Sequence, residues 1–300
     1  MSEKENSARS YFMLIGAMLI VGTIGVFRRY IPLSSALLAF FRGLIGALSL
    51  LLYLRLRGKR AGEQIERRKL MLLVLNGVFL GFNWLFLFEA FSYTTISKAT
   101  LCYYMQPTIV LLLSPLVFRE KLTAKKLLCA AAALLGMVLV SGVLGAGGGG
   151  TGDLRGVLYA LCGACFYSMV AILNKKIEGV DAYQKTIVQL LAATAVLGVF
   201  LLLTGGFAGF RCTPRLLLLI LLVGVVYTGV VYALYFGSMD GLKAQTISVL
   251  SYIDPVVAMI VSALVLGEGM SVIGICGAVL IIASALVSEL TEVPRPGKER

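Results

Sequence analysis

Histidine is absent from the 300 residues. Zinc catalysis of the usual His-ligated kind is therefore not expected, and neither a metal nor another cofactor is. Charge is scarce too. Only 14% of residues are Asp, Glu, Lys or Arg, where a soluble domain carries about 25%. Acids are the scarcer sign, 15 against 27 Lys and Arg, for a net charge of +12. Six cysteines make no disulfide framework, because Cys102, Cys129, Cys162, Cys165 and Cys276 fall in apolar stretches and leave Cys212 with no loop partner. Cys162 and Cys165 form a CxxC. On a membrane helix it reads as two small apolar side chains on one face rather than a redox pair.

Apolar residues fill the space that charge leaves, at 59%. They gather into ten spans, at 11–27, 34–54, 70–91, 96–117, 124–144, 154–173, 183–203, 216–239, 244–266 and 271–290. Each is near the ~20 residues a helix needs to cross hydrocarbon. The first is longer than the ~7–15 residues of a signal-peptide core and no A-x-A site follows, so it is expected to stay. The fold class expected is all-α integral membrane.

The basic residues alternate with the spans. With the N-terminus inside, 20 Lys and Arg fall in inner segments, six in outer ones, and Arg42 lies within a span. This is the positive-inside pattern of a cytoplasmic membrane with both termini in the cytoplasm. The charge then contacts anionic lipid headgroups, and no nucleic-acid partner is expected.

The second half repeats the first. Gly81, Phe88, Tyr104, Pro107, Ser114, Leu116, Val117 and Glu120 recur 148 residues later as Gly229, Phe236, Tyr252, Pro255, Ser262, Leu264, Val265 and Glu268. Five spans precede the midpoint and five follow it. Five is odd, so the second set enters the bilayer from the opposite side. The expectation is ten transmembrane helices in two inverted five-helix repeats. They divide as an N-terminal tail at 1–10, repeats at 11–144 and 154–290, a linker at 145–153 and a C-terminal tail at 291–300. The linker contains GAGGGGTG, which lacks the Gly-Lys-Ser/Thr ending of a phosphate loop and follows a helix, not a strand. Inverted repeats are typical of secondary transporters, whose site lies near midplane between the halves.

The stretches ATLCYYMQPTIVLLLSPLVFREKLT (Ala99 to Thr123) and QTISVLSYIDPVVAMIVSALVLGEGMS (Gln245 to Ser271) resemble the two signature segments of EamA-type transporters, of the drug/metabolite transporter superfamily. The resemblance spans nearly the whole chain. It implies export or exchange of small metabolites through a central cavity lined by helices one to four and six to nine, with the fifth and tenth helices peripheral.

Polar groups inside a bilayer are costly, so those present face a cavity or a partner. Gln106 and Asp254 are equivalent in the repeat, and each precedes a repeated proline, Pro107 or Pro255. Each proline frees a carbonyl one turn earlier, at Tyr103 and Ser251, which can bind solute or water. An acid at midplane also makes proton coupling conceivable. Arg42 lies about 12 Å below the outer end of its span. It can hold a substrate carboxylate or pair with Asp254 or Glu89. Glu89 can instead reach Lys98. Asn76, Asn83, Trp84, Thr228, Tyr232 and Tyr235 lie on the faces of the third and eighth helices and suit an amphipathic solute; the alternative is ordinary helix packing. Gly81 and Gly229 suit close helix packing. Glu120 and Glu268 end the fourth and ninth helices, each before a hydroxyl residue that can cap the next helix, and read as locks on the hairpins. An intramembrane enzyme needs a nucleophile–base pair or metal site that does not stand out. A receptor or scaffold needs no pseudo-symmetry. The substrate and the oligomeric state are not written in the sequence.

Overall fold

The computed structural model describes residues 3–58, 65–118, 123–141, 151–239, 242 and 244–290. Among these every regular element is helical. The order is α1 (Glu3–Gly22), α2 (Ile24–Arg29), α3 (Ser35–Leu56), α4 (Arg67–Tyr93), α5 (Ile96–Tyr103), α6 (Gln106–Phe118), α7 (Ala124–Ser141), α8 (Thr151–Lys176), α9 (Ala182–Leu203), α10 (Pro214–Leu221), a π-helical stretch (Leu222–Val230), α11 (Val231–Met239), α12 (Ala244–Ser251), α13 (Ile253–Leu266) and α14 (Val272–Leu290).

Six of these stretches are long and apolar enough to cross a membrane: Ala8–Arg29, Ser35–Leu56, Arg67–Tyr93, Asp153–Lys176, Ala182–Leu203 and Pro214–Ser238. Shorter apolar helices accompany them at Leu127–Val140, Ile253–Leu266 and Val272–Val287. The outer surface is rich in bare Leu, Ile and Val. Leu116 and its repeat partner Leu264 are each 81% exposed, an exposure that only lipid makes favourable. The chain is an integral membrane protein.

Hydroxyl and acid caps start the helices. Ser34 accepts from the Leu37 N–H, Thr95 from Lys98, Thr213 from Leu216, and Asp181 from Tyr183 and Gln184. Two expected spans are broken near their middles. The fourth divides into α5 and α6 before Pro107, and the ninth into α12 and α13 before Pro255, because proline offers no N–H and its ring crowds the preceding turn. The last residues of the expected linker, Thr151 to Asp153, already belong to α8. The rest of the linker, Glu120 and the C-terminal tail lie outside the described residues.

The helices α3, α4, α8 and α9 pack around a core that includes Leu50, Trp84, Phe88, Leu190 and Leu197. The helix α1 packs on α11 and α13, and α7 pairs chiefly with α14. Association in lipid relies on close packing and interhelical hydrogen bonds. The α7–α14 pair shows the first. A Cβ on Gly136 would sit 2.7 Å from the Gly277 carbonyl oxygen, and one on Gly277 2.6 Å from that of Gly136. The contact of α4 with α8 and α9 shows the second. Asn76 donates from Nδ2 to the Val170 carbonyl at 3.2 Å and to Asn174 Oδ1 at 3.0 Å, and Gln189 Nε2 donates to that same Oδ1 at 2.7 Å. Asn76 is thus committed to helix packing.

One end of the bundle is tied between the halves. The Glu268 carboxylate does not cap its own neighbouring helix. It accepts from the Ile96 N–H at 2.8 Å, in the first turn of α5, and from Arg29 Nη2 at 2.9 Å. Ser271 does cap α14, accepting from the Gly274 N–H at 3.1 Å. Lys98 pairs with Asp153 at 2.6 Å rather than with Glu89, and Thr94 donates to that same carboxylate. Glu89 accepts from Ser35 Oγ at 2.6 Å.

Candidate functional site

Both broken spans meet at their breaks. The rings of Tyr104 and Tyr252, equivalent residues of the two halves, have centroids 5.9 Å apart. The Tyr104 hydroxyl donates to Asp254 Oδ2 at 2.6 Å and lies 3.3 Å from the Ser251 carbonyl oxygen. That carbonyl is the one Pro255 leaves without its helical donor. Asp254 sits in the first turn of α13, where the helix N-terminus favours a negative charge. Gln106 opens α6 in the same way; its backbone carbonyl accepts from Ser168 at 3.0 Å. The Ser251 hydroxyl is turned back on its own helix, donating to the Ile247 carbonyl at 2.8 Å.

Tyrosines surround this meeting point. Tyr103 lies against Tyr104 and Tyr167, with centroids 6.2 and 5.7 Å away. Its hydroxyl accepts from Asn83 Nδ2 at 3.2 Å, and that nitrogen also donates to the Gly163 carbonyl at 2.8 Å. Asn83 therefore joins α4 to α8 and orients Tyr103 at the same time. Tyr232 packs on Phe236 at 5.8 Å, and so does Tyr235 at 5.6 Å.

Arg42 enters from α3 and is 7% exposed. Its guanidinium carbon lies 4.4 Å from the Trp84 ring centroid and 5.7 Å from that of Phe88. Nε donates to Thr228 Oγ1 at 3.0 Å. Thr228 is itself fully buried and lies 3.3 Å from the Val223 carbonyl, five residues back, inside the π-helical stretch. The wider π turn presents Thr228 toward α3, where Gly46 leaves room: a Cβ on Gly46 would run into Thr228 Cγ2 and lie 2.9 Å from its Cβ. π-turns recur at functional sites. Arg42 and Asp254 lie within each other's electrostatic reach. They form no ion pair, and Glu89 does not reach Arg42 either. The energetics are unbalanced. Burying a guanidinium costs several kcal/mol. A desolvated cation–π contact returns about 2 kcal/mol, and one charged hydrogen bond about 1.5–3.

The structure thus gathers Arg42, Trp84 and Thr228 into one cluster and Tyr104, Ser251 and Asp254 into another, with Asn83, Tyr103 and Tyr232 between. Tyr104 and Tyr167 were not among the candidate site residues read from the sequence. For Tyr104 the signal was present, since it recurs as Tyr252. For Tyr167 there was none, because a tyrosine on a packed helix looks like any other. The repeated glycines are close approaches: a Cβ on Gly81 would meet Val196 Cγ1 at 3.2 Å, and one on Gly229 Ser49 Cβ at 2.6 Å. Chemically, the arrangement sets one cation and one acid among aromatic side chains. Among the described residues no three of His, Cys, Asp and Glu converge.

Related proteins agree with this picture of the fold. The chain is 31% identical over 301 residues to the uncharacterized transporter YxxF of Bacillus subtilis (strain 168), covering 99% of this chain and 93% of that one. It is 25% identical over 278 residues to an uncharacterized transporter of Archaeoglobus fulgidus, covering 92% and 94%. A crystal structure 20% identical in sequence superposes with a TM-score of 0.66 over 96% of this chain and 98% of that one, which establishes the shared fold. The EamA-like transporter family pattern matches twice, at residues 8–142 and 154–290, and the chain belongs to that family.

Proposed function

We propose that the protein is a secondary transporter that exports or exchanges a small organic metabolite, an amino acid or drug-like solute, across the cytoplasmic membrane by alternating access. Its ten helices form two inverted five-helix repeats, with both termini cytoplasmic. The observation that supports this most is the meeting of Tyr104 and Tyr252 beside Asp254. Equivalent residues of two repeats touch only near the axis that relates them. In an inverted repeat that axis lies in the membrane plane, and solute sites form there at broken helices. The ties of Arg29 to Glu268 and Lys98 to Asp153 gather at one end, and positive-inside counting assigns all four to the outer face.

Two measurements test the reading. Single cysteines at 55–69 should label only from the cytoplasmic side, and those at 147–150 only from the outer side. Labelling of both loops from one side rules out the inverted repeat. Purified protein in proteoliposomes should show saturable uptake of at least one solute from a panel of amino acids, nucleosides and sugars, with counterflow when unlabelled solute is trapped inside. A well-folded protein that carries none of them would rule out transport of these classes.

A further inference from the structure

Arg42 is a buried cation that the protein leaves without an anion. Among the described residues both ion pairs lie at the tied end of the bundle, and neither involves it. Its one hydrogen bond, from Nε to Thr228 Oγ1, uses one of five N–H donors. Among the described residues the terminal nitrogens have no acceptor, and they are not among the fully enclosed polar atoms left unpaired, although the residue as a whole is buried. The geometry of that fork is held. Trp84 and Phe88 lie against the guanidinium, and Thr228 fixes its rotation. Thr228 is in turn held by the π-helical stretch.

A planar fork of donors with a fixed direction matches a carboxylate through two parallel hydrogen bonds. Phosphate fits less well. It carries more than one charge, and Arg42 is the one Lys or Arg set deep in an apolar span, since Lys98, Lys125, Lys126, Arg155 and Lys185 lie within three residues of a span's end. The surrounding groups are aromatic, with hydroxyls on Tyr103 and Tyr232. That lining suits an apolar or aromatic body with a few polar atoms.

We propose that Arg42 binds the carboxylate of the transported solute, so that the substrate is a small organic carboxylate with an apolar body. This rests on the transporter reading and narrows it to a substrate class. Arg42 then sets specificity: a neutral isostere leaves the cation unanswered, and the site rejects it.

The chain carries its own reporter. Trp84 is its single tryptophan, and it stacks on Arg42. Emission of the purified protein is titrated with benzoate, phenylacetate, hexanoate and L-phenylalanine, and in parallel with the amides of the first three acids. At least one carboxylate should give a saturable change, and its amide should not. Arg42→Gln should weaken that binding by at least about tenfold. Arg42→Lys should fall between, since an ammonium keeps the charge and loses the fork. Three results overturn the proposal: no saturable change with any carboxylate, an equal response to acid and amide, or unchanged binding by a folded Arg42→Gln. Should that variant fail to fold, the comparison of acid with amide on the unaltered protein still decides. Proteoliposome flux separates this proposal from the reading beneath it. A protein that carries neutral or cationic solutes and ignores carboxylates remains a transporter and loses the carboxylate assignment. A folded protein that carries none of the solutes loses both.

Discussion

The two halves treat the same position differently. In the first half Gly81 lies in α4, an unbroken helix of 27 residues. In the second half Gly229 lies in the π-helical stretch between α10 and α11. Gly81 lets α4 rest on α9, through Ala193 and Val196, whereas Gly229 lets the π turn rest on α3, at Ser49. The first helix is a strut. The second is distorted where Thr228 reaches Arg42. The prolines show the same divergence: the turn before Pro107 carries a neutral Gln106, and the turn before Pro255 carries Asp254. The repeat has kept positions and spacing while the polar groups diverge: Arg42, Asn83 and Tyr103 come from the first half, and Thr228, Tyr232 and Asp254 from the second. A solute between the halves therefore meets unlike walls.

The largest effect should come from the glycines. Gly229→Ala places a methyl 2.6 Å from Ser49 Cβ, too close without movement, whereas Gly81→Ala meets its neighbours at 3.2 to 3.3 Å. Overpacking of the first kind costs about 1–3 kcal/mol. The second should cost less than about 1 kcal/mol, because alanine's better helix propensity offsets part of it. Thermal unfolding of the purified variants should rank Gly229→Ala well below Gly81→Ala. Equal melting temperatures would mean that the two helices are less different than their geometry implies.

Next comes the divergence between Gln106 and Asp254. Asp254→Asn keeps the shape and an oxygen to accept the Tyr104 hydroxyl, so the protein should fold. It removes an ionisable group beside Tyr104 and within the field of Arg42. If the acid couples protons or holds a cationic group of the solute, transport should fall by at least about tenfold, a difference of about 1.4 kcal/mol, and lose its pH dependence. Gln106→Ala should cost less. Wild-type transport by Asp254→Asn with unchanged pH dependence would remove the acid from the mechanism and make the two halves functionally alike.

Local physics made part of this legible from sequence. Pro107 and Pro255 announce breaks because a missing N–H acts within one turn, and breaks stand there. The offset of 148 between the repeats needed only the recurring residues, and the burial of Arg42 only the apolar pattern around it. What stayed hidden depends on distance across the fold. Nothing in the sequence says that Glu268 reaches the N–H of Ile96, 172 residues away, or that Asp153 rather than Glu89 takes Lys98. The π turn is likewise silent, since it contains no proline and its glycines could serve simple packing. Arg42 was a cation with two named acids to choose from, and only coordinates show that neither arrives.

The smallest effect should come from the tied end, where Glu268 is the only member of its repeated pair, Glu120 and Glu268, among the described residues. Its carboxylate does two things: it accepts the N–H of Ile96, as an anion at a helix N-terminus, and it pairs with Arg29. The first is worth about 1 kcal/mol by analogy with cap substitutions. The second is worth about 0.2–1 kcal/mol, because Arg29 is 36% exposed and water screens it. Glu268→Gln keeps an oxygen for Ile96 and loses the charge, so it should lower stability by about 1 kcal/mol or less and leave solute affinity unchanged. Added salt should shrink the difference, since it screens the pair that the wild type keeps. A double-mutant cycle with Arg29→Gln should recover a coupling of the same small size. If Glu268→Gln instead melts like the wild type and loses solute binding, the carboxylate belongs to the solute path. The tied end would then be a second polar site, and the halves would differ at both places where they meet.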